Sequence, residues 1–154
     1  MRAAYTIFPH SGYILETFRG AVTYKDIVRF NTRQQNDARV LNHYHTVSDY
    51  VQATLHLTEA EVREYGNTIY ASPKARDGKH SMVVVGPRNL AVVSMLEMLA
   101  AEYDIRAHCF RSREAAFRWQ DDRVALPPRI NAANTVLSYL VDAADVDTET
   151  TALG

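Results

Sequence analysis

Residues 81–86, Ser-Met-Val-Val-Val-Gly, are apolar without alternation. Successive side chains of a strand leave opposite faces of its sheet, so a strand apolar throughout needs cover on both sides. Pro87 comes next, at the first helical position, where its missing amide would be unpaired anyway. Val92, Met95, Leu96, Leu99 and Tyr103 then recur at helical spacing and define a core stripe on a long helix. A doubly covered strand leading straight into a helix points to a parallel sheet joined by helical crossovers.

The same alternation runs along the chain. Ala4–Phe8 and Tyr13–Arg19 are β-type runs parted by Pro9-His10-Ser11-Gly12, a hairpin signal. In the second run Ile14, Glu16 and Phe18 share one face, while Tyr13, Leu15, Thr17 and Arg19 share the other, so both faces are expected to be partly covered. Gly20 is read as the end of the hairpin. Thr23 with Asp26, and Thr58 with Glu61, have the spacing of capping boxes that open helices. The first helix runs to about Gln35 and the second to about Tyr70; a strand over His43–Val51 lies between them. A polar, basic loop spans 72–79, a short strand covers Ile105–Phe110, and Ser112 caps a helix through Trp119. The order is β-β-α-β-α-β-α-β-α, and the class is α/β.

The chain has 154 residues and a net charge of −1, which suits one compact domain and gives no general basis for nucleic-acid binding. No apolar run is long enough for a transmembrane helix, no signal peptide is evident, and the expected compartment is the cytoplasm. One cysteine, Cys109, allows neither an internal disulfide nor a multi-cysteine zinc site. Charge divides the chain: residues 1–120 carry a net +3 and residues 121–154 a net −4. Pro127-Pro128 fall just after that break. The reading is a domain over 1–120, an extension over 121–142, and an acidic tail over 143–154 that lacks the apolar mass to order itself. Ile130, Ala133, Val136, Leu137, Leu140 and Val141 predict a helix in the extension that packs on the body or across a dimer.

Several segments together resemble a known family. They are the hairpin, Gly20-Ala21-Val22-Thr23 opening a helix, a strand carrying Asp49, the Met82–Val85 strand with its long helix, and the closing run from Cys109 to Trp119. Over about residues 4–119 the chain resembles the SpoIIAA-like, or STAS-like, small bacterial proteins. The resemblance implies a mixed, mostly parallel five-stranded sheet with an antiparallel first strand, flanking helices, and a role in regulation or ligand binding. Phosphorylation-switched relatives carry an Asp-Ser-Ser-Gly-type step where this chain reads Ala53–Thr58. Thr58 alone is placed as a phosphoacceptor, and its N-cap role accounts for it without a switch.

Candidate site residues follow from placement. In parallel α/β sheets ligands favour the crevice beyond the carboxyl ends of the strands. Arg88 and Asn89, with the free amides that open their helix, suit a phosphate or carboxylate there; a capped turn with a surface arginine is the plainer alternative. Asp49 lies near a strand end at the same crevice, as ligand contact or as turn support. His43 and His45 are expected on one strand face, where Asp49 or His56 could complete a metal set, but no histidine–carboxylate motif surrounds them. His108 and Cys109 point to opposite faces and cannot act as base and nucleophile. Glu59, Glu61 and Glu64 read as a solvated helix face. No catalytic set, metal or cofactor is therefore expected. Leu90, Val93 and Met98 lie off the core stripe of their helix and suggest contact with a second subunit or the C-terminal segment. The leading expectation is a non-enzymatic STAS-like regulatory or protein-interaction module, a homodimer. The alternative is a protein that binds a small lipid-like or anionic apolar ligand in the strand-end crevice. An enzyme using Asp49 or the histidines stands third.

Overall fold

The computed structural model describes residues 1–75 and 77–120. The expected extension at 121–142 and acidic tail at 143–154 lie outside the described residues. The elements are β1 (Arg2–Phe8), β2 (Tyr13–Thr23), α1 (Tyr24–Gln35), β3 (His45–His56), α2 (Glu59–Tyr65), a π-helical turn (Gly66–Tyr70), β4 (His80–Val83), α3 (Pro87–Glu102), β5 (Ala107–Phe110) and α4 (Arg113–Gln120). One five-stranded sheet runs β1-β2-β3-β4-β5. The β1–β2 hairpin is antiparallel and every other pair is parallel. The expected α/β class and mixed sheet are what the chain forms. No helix among the described residues is long and apolar enough to cross a membrane.

The strand order dictates the layers. Each parallel crossover advances one strand in the same direction, so right-handed connections put α1, α2 and α3 on one face. The main core lies there, where Ile14, Phe18, Phe30, Leu55, Met82 and Leu96 are buried together. On the opposite face α4 packs Ala116 and Phe117 against Tyr13, Leu15, Val47 and Val83. Met82 and Val83 therefore enter different cores, as the apolar run requires, but β4 ends at Val83 and Val85, expected inside the strand, is exposed. β3 is the central strand of the sheet, and β4 lies one in from the edge.

Both capping boxes form: Thr23 accepts from Asp26 N and Thr58 from Glu61 N. Several boundaries differ from expectation. Gly20 does end the hairpin pairing, whose last pair is Arg2 with Arg19, but β2 itself continues to Thr23 beside β3, with Gly20 at a left-handed φ of +76°. β3 begins at His45 and reaches His56, because it follows β2 along its full length. The helix expected to run to Tyr70 is α-helical only to Tyr65 and then widens into the π turn.

A β-bulge in β3 matters most for the site. Thr17 pairs with Asp49 but Arg19 pairs with Gln52, so β3 carries one extra residue at this point. The insertion reverses which parity faces the main core, from Ser48 and Tyr50 before it to Ala53 and Leu55 after it. Asp49 Oδ1 accepts from Val51 N at 2.8 Å and holds the bulge.

Candidate binding crevice at the strand ends

The bulge, the end of β4 and the start of α4 together frame a cavity of about 320 Å3 just beyond the carboxyl end of β4, beside the middle of β2 and β3, on the α4 face. Phe18, Val51 and Val83 give it apolar walls; Arg19, Gln52, Ser112 and Arg113 give it donors. Asp49, only 7% exposed, accepts a hydrogen bond from Arg113 Nε through Oδ2. Among the described residues Nε is the only guanidinium nitrogen of Arg113 with a partner. Its side chain is 43% exposed, and Arg19 is exposed as well. Two guanidinium groups against one carboxylate leave the crevice one positive charge in excess. Planar guanidinium donors beside apolar walls suit a carboxylate or phosphate attached to an apolar body.

The structure separates the residues that sequence placed in one crevice. Asp49 is there; Arg88 and Asn89 are not. β3 continues beyond β4, whose last pairing sets Val83 against Asp49. Where β4 has ended, the Asn89 side chain accepts from Leu55 N at 2.9 Å and donates to Ala53 O at 2.8 Å. A buried amide thus serves β3 as a neighbouring strand would, and Asn89 is fully committed to the fold. Arg88 is exposed and donates to His56 Nδ1 at 2.8 Å. His56 is the last residue of β3, well past the bulge, so Arg88 stands away from the crevice.

His43 and His45 do not share a strand face, which corrects the expectation. His43 sits in the turn before β3 with its ring against Tyr44, while His45 Nδ1 accepts from Lys79 N at 2.9 Å. No group of three or more metal-ligating side chains occurs among the described residues. Thr58 is exposed and caps α2. The Cys109 thiol is pushed above its ordinary value by burial and then by the Glu97 carboxylate, which makes it a poorer nucleophile. Glu97 accepts from Cys109 N at 2.9 Å and lies 2.7 Å from His108 Nδ1, guarding the outer edge of β5. Val93, expected off the core face, is fully buried, and Leu90 packs against the main core. Met98 is 72% exposed and, with half-buried Met95, lines a groove of about 140 Å3 between α2 and α3.

Sequence reasoning missed Arg19, Ser112 and Arg113 as crevice residues. Their one signal is position, a hairpin end and a helix start, and only the sheet order brings those together. The fold and crevice define an α/β domain with a mixed sheet and a charged strand-end hollow. Comparisons with family models, curated proteins and solved structures give no significant match to this chain.

Proposed function

We propose that this chain is a STAS-like regulatory module that binds a partner protein and carries out no chemical step of its own. The observation that carries the reading is the strand-end crevice, with its excess positive charge and apolar walls. It suits an acidic side chain presented by a partner. The antiparallel first strand and the sheet order β1-β2-β3-β4-β5 support the STAS-like assignment. Self-association into a homodimer rests on the exposed Met98 beside Met95. A second reading, a free small anion with an apolar body, is favoured by the cavity volume of about 320 Å3, within the range of small-molecule sites.

Native mass spectrometry of the chain purified gently from its own host tests both. The expected result is a second polypeptide at fixed stoichiometry, lost in R19E. A retained mass of a few hundred daltons, on the order of what such cavities enclose, supports the second reading. A partner held equally well by R19E overturns the crevice as the binding surface.

A further inference from the structure

A hydrogen-bonded chain of titratable groups lies inside the main core, apart from the crevice. Glu16 of β2 is 2% exposed and faces the α1–α3 layer. Ser48, opposite it in register and fully buried, donates from Oγ to Glu16 Oε2 at 2.5 Å. The same Oγ lies 2.7 Å from His80 Nε2. A carboxylate this deep is costly unless hydrogen-bonded and electrically compensated, and His80 supplies a base at the far end of the chain.

His80 also lines a cavity of about 40 Å3, walled by Asn31, Thr46, Tyr65, Tyr70 and Gly78. A water needs roughly 10–15 Å3 of such space and two or more polar partners. The Tyr70 hydroxyl is buried and has no hydrogen-bond partner among the described residues. Tyr70 ends the π turn, a distortion that recurs at functional sites.

We propose that Glu16, Ser48 and His80 form a proton relay, loaded through water held in this cavity. A proton taken up at His80 Nδ1 makes the ring an imidazolium. The Nε2–H bond then breaks as Ser48 Oγ accepts that proton, and the original Ser48 hydroxyl proton passes to Glu16 Oε2. Ser48 ends neutral, the ring ends neutral as the other tautomer, and the Glu16 charge is discharged. Among the described residues, the groups facing the relay include Tyr50 on β3, whose phenol is hydrogen-bonded to Ser48, and Tyr65 and Tyr70 from α2 and the π turn; α1 contributes the uncharged Asn31 and Gln35. Burial, and then the Glu16 charge, hold the Tyr50 and Tyr70 phenols well above their ordinary range, so neither competes for the proton near neutral pH.

NMR titration of the full chain tests the relay, following the His80 ring nitrogens and the Glu16 carboxyl carbon. Because the proton is shared, both nuclei are expected to report the same macroscopic midpoints. S48A should separate them into one midpoint each, and S48T should restore the shared pattern. E16Q keeps an acceptor for Ser48, so it serves if S48A does not fold; His80 should then titrate in one step, moved to lower pH by loss of the nearby negative charge. Independent midpoints in the natural chain overturn the relay, as does a shared pattern that survives S48A.

Discussion

Asn89→Ala removes the side chain that stands in for a strand beside the upper part of β3. Two groups lose their partners, the Leu55 amide and the Ala53 carbonyl, bonded at 2.9 and 2.8 Å. Asn89 is buried, so water does not replace it freely. An orphaned buried backbone group costs about 1–3 kcal/mol; at about 1.5 kcal/mol each the variant loses about 3 kcal/mol. For a domain of this size that lowers Tm by about 10 °C. Urea unfolding measures the loss, and hydrogen exchange locates it, with the Leu55 amide accelerated more than its neighbours. Arg88→Ala is the control: its partner His56 is exposed, and the change should stay within about 0.5 kcal/mol. An N89A variant as stable as the natural chain, or an unaltered Leu55 amide, would refute the reasoning.

Two further outcomes are expected. Tyr5 donates to Asp37 at 2.6 Å, and burial, followed by that carboxylate, pushes its phenol up to about 12 from 10.0. The neutral phenol is the form the fold favours, so its contribution is whole below pH 10 and is lost as pH rises through 12. Asp37, held well below the carboxylate range first by Arg39, contributes fully above its ordinary value and loses that contribution in acid. Y5F should cost about 1.5 kcal/mol at neutral pH and flatten the alkaline limb of the urea midpoint; an identical limb in both proteins would sink the assignment. Gly78→Ala would drive a Cβ into the Tyr44 carbonyl oxygen, a backbone atom that cannot turn aside. It should cost about 3 kcal/mol or more, and a midpoint unchanged in urea would show that the loop does not press on Tyr44.

Much of the fold is legible in the sequence because its signals are local. Thr23 with Asp26 and Thr58 with Glu61 announce helix starts through contacts three residues apart, and both boxes form. The 81–86 run announces burial on two sides, and Met82 and Val83 do enter separate cores. The alternation of β2 places Glu16 beside Ile14 and Phe18, where it lies. The candidate site is legible only at Asp49. Arg88 and Asn89 are misplaced by sequence because β3 outruns β4, and strand length relative to a neighbour has no local signature. The bulge at Tyr50–Val51 is hidden for the same reason, since it is defined by pairing with β2.

Sequence by itself determined the class, the element order and the residues that open each helix, since propensity, capping and periodicity act over a few residues. Tertiary structure alone decided which distant groups meet. Asp49 finds Arg113 across sixty-four positions, and Ser48 stands between Glu16 and His80, thirty-two positions from each. Those meetings follow from the order and register of parallel strands, which depend on how whole faces pack and not on any short stretch of chain.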